Sequence, residues 1–388
     1  MSIRRKSIPV ILATITFATI NAFAQNDYKT HNPEDLDFYR NANLHPVQHY
    51  TEPISQSKPK NVILMIGDGM GTAHVYAGIV ANGGDLYLKN FKQIGFSTTY
   101  SASDFVTDSG AGGTALSTGV KTYNGAIGVN TDSIAISNIR EKAEKKGLST
   151  GVVSTSAITH ATPASFVAHQ KDRNLYEEIA ADFLKTNIDV FIGGGKKYFT
   201  TRKDSTDLTI KLKNKGYNIV SGINEISNVT EGKLAGFTSD YDNPSKLKGR
   251  GDELPIATKT AINILDNDPD GFFLMVEGSQ IDWGAHKNST GQIITEVLDF
   301  DKAIGEALSF ADQNKETLII VTADHETGGF SVEGGSFLKG EVTGDFTTDD
   351  HTGVMVPVYA FGPGSENFKG IMNNIDIPKK IAELLGVE

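Results

Sequence analysis

The chain has 388 residues, 39% of them hydrophobic and 21% charged, a balance that suits a folded core and excludes wholesale disorder. Its 36 basic and 47 acidic residues leave a formal charge of −11, which argues against a nucleic-acid partner; an anionic substrate stays open, because bound cations reverse the local sign. Cysteine is absent, so disulfides, thiolate zinc sites and a cysteine nucleophile are excluded together.

Residues 1–24 have the layout of a cleaved secretory signal: Arg4, Arg5 and Lys6, an apolar run from Ile8 to Ile20, and the small-x-small site Ala22-Phe23-Ala24 before Gln25. The run is shorter than the ~20 residues a membrane span needs. Arg4-Arg5 also fits a twin-arginine route. The expectation is a periplasmic or secreted protein with no membrane anchor after cleavage. Residues 25–60, with Pro33, Pro46, Pro53 and Pro59, read as an irregular polar arm. A single catalytic domain is expected over 61–388.

Within that domain short, nearly continuous apolar runs recur at 61–67, 150–156, 188–195, 272–278, 317–324 and 354–362, the pattern of strands buried on both faces. Amphipathic helical stretches at 137–146, 175–185, 256–265, 292–310 and 378–385 alternate with them. The fold class predicted is α/β: a mostly parallel sheet between layers of helices. The polar segment 196–250 is expected to wrap the outside, and the Gly-rich segment 331–350 to form a short excursion between strands.

In such sheets ligands bind beyond the carboxyl ends of the strands. There the sequence offers Asp68 in GDGMG, Glu277 with Asp282 and His286 in EGSQIDWGAH, Asp324-His325 in DHETGG, and His351 before the last strand run. One strand-end Asp is most often a turn or cap residue. Several strand ends each offering Asp, Glu or His point to one cation-binding site. Asp68 would repel a phosphate without a cation and becomes sensible as a ligand with one. Asp282 and His286, four apart, share a face of any helical turn. The mixed N/O donors suit zinc, while Glu277 and Thr162 offer oxygen, which suits a hard ion such as Mg²⁺. Ser109, after Asp108 and before a Gly/Ala-rich helical start, is by habit an N-cap; the same place would also stabilise an alkoxide. Arg173 is either a solvated surface arginine or a bidentate phosphate clamp.

In order, GDGMG, DSGAGGTA, THATP with Arg173, VEG with IDWGAH, TADHETGG and HTG resemble the alkaline phosphatases, over nearly all of the chain from about Asn61. The resemblance implies hydrolysis of small phosphate monoesters at alkaline pH through a phosphoserine on Ser109, with Arg173 binding phosphate. It implies two Zn²⁺, one held by Asp282, His286 and His351 and the other by Asp68, Asp324 and His325. It implies one Mg²⁺ on Asp68, Thr162 and Glu277. His160 stands beside that third site, where the family often has Asp or His. Trp283 stands where some members have a Lys that reaches phosphate through water. The crown-like insertion at 331–350 is short, and in larger relatives that region helps build a homodimer. Rival functions are a phosphodiesterase of the same superfamily, which commonly uses Thr and lacks the clamping Arg, and a non-catalytic metal or phosphate binder, which needs no Ser109. A sulfatase is excluded, because Gly110-Ala111-Gly112 follows Ser109.

Overall fold

In the computed structural model, residues 37–52 and 58–387 are described. The signal segment, its cleavage site and part of the arm lie outside them. A ten-stranded sheet organises the chain. Its strands are β1 (Asn61–Gly67), β2 (Gln93–Thr98), β3 (Ser149–Ala157), β4 (Val190–Gly194) and β5 (Tyr217–Ser221). They continue as β6 (Lys233–Phe237), β7 (Phe272–Gly278), β8 (Thr317–Thr322), β9 (Val356–Phe361) and β10 (Gly370–Asn373). The spatial order is β10-β2-β9-β8-β1-β7-β3-β4-β6-β5. All pairings are parallel except those of β9, which runs antiparallel to both neighbours.

The two faces of β1 show why its run is continuously apolar. Ile63 and Met65 join one core cluster, while Val62, Leu64 and Ile66 join the other, on the opposite face. The first face is covered by α1 (Thr72–Ala81), α5 (Glu253–Leu265) and α7 (Thr290–Asn314), the second by α3 (Ile139–Lys146) and α8 (Asp376–Leu385). Helix α3 starts at an Asn138–Glu141 capping box and stops at Gly147, whose φ of 93° a glycine adopts without strain. Helix α2 (Ser109–Thr118), α4 (Tyr176–Asp182) and α6 (Gln280–His286) carry site residues.

Three expectations need correction. The segment 196–250 does not merely wrap the outside, since it contributes β5 and β6, which close one end of the sheet. The arm is not wholly irregular: Phe38–Arg40 pairs with Glu341–Asp345, which pairs in turn with Ser331–Ser336, so the 331–350 excursion is a hairpin that the arm extends to a three-stranded antiparallel sheet. Strand β2, toward the other end, went unseen because it alternates: Ile94 and Phe96 face outward at 48% and 37% exposure while Gly95 and Ser97 are buried.

Candidate metal and phosphate site

The central strands β8, β1, β7 and β3 are neighbours and parallel, so their carboxyl ends open on one place. Asp68 follows β1, Glu277 ends β7, Asp324 and His325 follow β8, and His160 and Thr162 follow β3. Helix α6 lifts Asp282 and His286 over this rim, and His351 arrives on the two-residue bridge strand His351–Thr352, paired with Glu326–Thr327. Gly69, at φ 71°, makes the close approach possible: a Cβ there would lie 2.9 Å from Asp282 Cα and 2.8 Å from Thr327 Oγ1.

Among the described residues three sets of ligand atoms lie within 4.8 Å of one another: Asp282, His286 and His351; Asp68, Asp282 and His325; and Asp68, His160 and Glu277. Asp282 thus reaches two sets, where the sequence pattern suggested one. Asp324 is in none of these three sets, but its Oδ2 lies 3.5 Å from His325 Nε2, on the side of the ring that faces Asp68. His160, expected only beside the third set, presents a nitrogen within it. Thr162 is fully buried in the short helix Ala161–Ala164 that His160 precedes.

Burial without partners is the test of whether these residues fit a cation. Both carboxylate oxygens of Asp68, Asp324 Oδ2, Glu277 Oε1, Thr162 Oγ1 and His160 Nδ1 are buried and lack any hydrogen-bond partner. Orphans of this kind cost free energy unless something satisfies them. A cation does so, because all of them are lone-pair donors or can be. In the bare chain burial drives Asp68 well above the usual carboxylate range, helped by the charges of Asp324, Asp282 and Glu277. Burial also pushes Glu277 up to about 7, against the hydroxyls of Ser154 and Ser279, which donate to its Oε2 at 2.5 and 2.6 Å. Divalent ions remove this penalty and keep the carboxylates ionised.

The imidazoles are oriented for the task. His286 Nδ1 meets the Asp349 carbonyl at 2.6 Å and His351 Nδ1 the Thr107 carbonyl at 2.9 Å, leaving both Nε2 atoms facing each other at 3.2 Å. The ion pair with Asp282 raises His286 to about 9. Asp282 sits below the usual carboxylate range: burial opposes this and is outweighed by His286, His325 and His351. Burial lowers His325 and His160 to about 4, so both stay neutral and ready to ligate.

Ser109 is not an N-cap. Asp108 caps α2, accepting from Ala111 N at 2.9 Å, and Ser109 is the first helical residue. Its hydroxyl lies 3.2 Å from His325 Nε2. This contact differs from a nucleophile–base dyad, because Nε2 also faces Asp68 at 3.3 Å and Nδ1 meets Thr327 instead of a carboxylate. Gly112 brings α2 close: a Cβ there would stand 3.1 Å from the Asp324 carbonyl oxygen.

Arg173 is not a free surface arginine. Asp108 Oδ2 accepts from its Nη1 at 2.8 Å, and Asp108 Oδ1 also accepts from Gly125 N. One carboxylate therefore caps the Ser109 helix and fixes the guanidinium beside it. Burial works against the Arg173 charge and Asp108 outweighs it. Asp108 was visible only as the neighbour of Ser109. Thr327, which donates to Asp282 Oδ1, and the Ser154–Ser279 pair had no signal beyond polar residues beside strand ends. Trp283 is half-buried and meets the edge of His160, ring centroids 5.7 Å apart.

Residues 59–345 match the family model for alkaline phosphatase. Alkaline phosphatase 4 of Bacillus subtilis (strain 168) is 36% identical, the match covering 84% of this chain and 88% of that one. The alkaline phosphatase of the Antarctic bacterium TAB5 has a similar structure, with a TM-score of 0.82 at 44% identity over 86% of this chain and 99% of that chain. A His-to-Asp variant of that enzyme has a structure with Mg bound in its M3 site. The fold and the rim of carboxylates and imidazoles therefore define a metal-dependent phosphomonoester hydrolase. The chain belongs to the alkaline phosphatase family.

Proposed function

We propose that this chain cleaves phosphate monoesters by two successive displacements, with Ser109 as nucleophile and a phosphoserine between them, at a centre of two Zn²⁺ and one Mg²⁺. The observation that carries this reading is the Ser109 hydroxyl at the buried edge of the Asp/His cluster, beside an Arg173 already pinned by the cap of the same helix. In the proposed assignment Asp282, His286 and His351 hold one zinc and Asp68, Asp324 and His325 the other. Asp68, Thr162 and Glu277 hold magnesium, with His160 as a further donor. The bound ions supply positive charge that favours ionised serine and water and stabilises the departing oxygen. Ser109 Oγ bonds to phosphorus as the bond to the alcohol oxygen breaks, and the alcohol leaves with a proton from solvent. Water then attacks phosphorus from the opposite side, Ser109 Oγ leaves, and inorganic phosphate is released.

Arg173 grips two phosphate oxygens throughout, and the positive end of α2 faces the same charge. That clamp suits a dianionic monoester better than a diester, and an ordered Ser109 has no purpose in a passive metal or phosphate binder. An alkaline optimum accompanies ionised serine and water. Export through the segment 1–24 belongs to the same reading; among the described residues no helix is long and apolar enough to cross a membrane.

The test is acid trapping of the loaded enzyme during turnover of an aryl phosphate, followed by peptide mapping and metal analysis. Phosphate on Ser109 is expected, along with turnover of the monoester but not of its diester or sulfate. Phosphate on another residue, or full activity in metal-free protein, overturns the reading.

A further inference from the structure

The phosphoryl chemistry described above is indifferent to the alcohol it releases, yet the surface next to Arg173 is not featureless. A cleft of about 660 Å³ begins at Asn174 and Leu175, immediately after Arg173 in the chain. That volume is in the range of small-molecule sites. Its walls come from the carboxyl ends of three parallel strands: Tyr176 after β3, Lys197 and Tyr198 after β4, and Tyr241 after β6. It therefore opens on the same edge of the sheet as the metal cluster.

The walls are held by backbone. Gly195 N donates to the Tyr241 carbonyl at 2.8 Å and Lys197 N to the Asp240 carbonyl at 3.1 Å. The next residue, Asp242, accepts from Ala157 N at 2.9 Å, which ties the Tyr241 loop to the end of β3. Gly194 has no room for a Cβ, which would fall 2.2 Å from the Tyr241 carbonyl oxygen. Tyr176 and Tyr198 stack at 4.7 Å between centroids with 13° between planes. The Lys197 ammonium lies 3.9 Å from the Tyr241 ring centroid and 4.8 Å from that of Tyr198. Both rings and the ammonium over them line the cleft. Tyr241 is 63% exposed. Lys197 and Lys203 are outnumbered by Glu177, Glu178 and Asp240, so the cleft has no cationic surplus to recruit a second phosphate.

We infer that this tyrosine cleft is the leaving-group subsite of the enzyme, taking the planar aromatic portion of a phosphate monoester, a nucleoside or an aryl alcohol, by stacking on Tyr241 and Tyr198. The inference rests on the proposed phosphomonoesterase reading. With the phosphoryl group at Arg173, the ester oxygen directs the alcohol outward, and Lys197 swings aside into water as the ring enters. Stacked aromatic contacts of this kind are indifferent to the pattern of ring substituents, so the subsite selects for planarity and not for one base.

The test compares the metal-loaded wild type with Tyr241→Ala and Lys197→Met on a nucleoside 5′-monophosphate, an aryl phosphate and glycerol phosphate. Tyr241→Ala is expected to raise KM about tenfold for one or both aromatic substrates, the ~1.4 kcal/mol of one stacked ring, with kcat unchanged and glycerol phosphate unaffected. Lys197→Met is expected to leave the aromatic KM unchanged or lower. The ratio of the nucleoside and aryl effects tells which alcohol fits better. Equal changes on all three substrates, or none on the aromatic ones, overturn the inference. Binding of the unphosphorylated nucleoside to Ser109→Ala, followed by saturation-transfer NMR, separates the two levels. A signal lost with Tyr241→Ala supports the subsite even where hydrolysis fails, and a signal that survives it overturns the subsite while leaving hydrolysis intact.

Discussion

His286 leaves 36% of its side chain in solvent and His351 11%, whereas Asp68, Glu277 and Asp324 are completely buried. The outer set pairs one carboxylate with two imidazoles, each locked through its other nitrogen to a backbone carbonyl. The inner set is richer in oxygen, and both Asp68 oxygens, Asp324 Oδ2, Glu277 Oε1 and Thr162 Oγ1 have no hydrogen-bond partner. This difference separates two tasks within one cluster. The outer set is satisfied without an ion and lies at the mouth of the site, so an ion there is expected to exchange. The inner set is unsatisfied without an ion, so its occupancy is coupled to the stability of the fold.

The largest effect should come from breaking the inner set. Asp68 belongs to two of the three ligand groups, so Asp68→Asn is expected to lose metal from both. Activity should fall well beyond the ~100-fold typical of changes outside the coordination sphere. Metal analysis beside turnover checks this; retention of full metal content would show that the groups are independent. A smaller loss is expected for His351→Ala, roughly 10- to 100-fold at limiting zinc and largely restored by excess zinc, with the inner metal retained. Failure of zinc to rescue would erase the distinction between an exchangeable and a buried set.

The pH dependence of the demetallated chain sharpens the same contrast. In the bare fold Glu277 keeps its proton up to about 7, while in the unfolded chain it releases it near 4.5. Between these values the folded state binds more protons, so stability falls as pH rises through that window. The melting temperature of metal-free protein should drop from pH 4.5 to 7, and that of loaded protein should not, because a bound ion holds the carboxylate ionised. Parallel profiles for the two forms would mean that Glu277 does not face the ion. The smallest effect concerns Trp283, set against His160 of the inner group. Trp283→Lys adds a cation at the rim and should tighten inorganic phosphate binding about fivefold, ~1 kcal/mol for a partly screened contact. An unchanged inhibition constant at equal metal loading would confine Trp283 to packing.

Much of this was legible in one dimension because strands buried on both faces leave an unbroken apolar signature. The run 61–67 coincides with β1, 272–278 with β7, and the other predicted strands differ by a residue or two at their ends. The missed strands β2, β5, β6 and β10 lie toward the two ends of the sheet; in β2, β5 and β10 exposed residues break the apolar run, and in β6, buried on both faces, the small Ala235 and Gly236 weaken it. The site residues were legible for a related reason. Parallel topology sends every strand's carboxyl end to one edge, so an Asp, Glu or His after a strand run is placed without knowledge of the strand order.

What the sequence determined by itself was therefore the sheet's parallel core and which acidic and imidazole residues stand at its carboxyl ends, since both follow from local pattern and chain direction. Only the tertiary structure decided which of these side chains come together, because Asp282 reaches two sets and His160 enters a third through contacts between loops far apart in sequence. The same holds for Arg173, held at the site by an Asp108 that lies 65 residues earlier. It holds also for the tyrosine cleft, whose walls follow three separate strands. Sequence separation hides such pairings: nothing in the local chain records which loop ends will meet, and packing of the two cores on either side of the sheet is what brings them together.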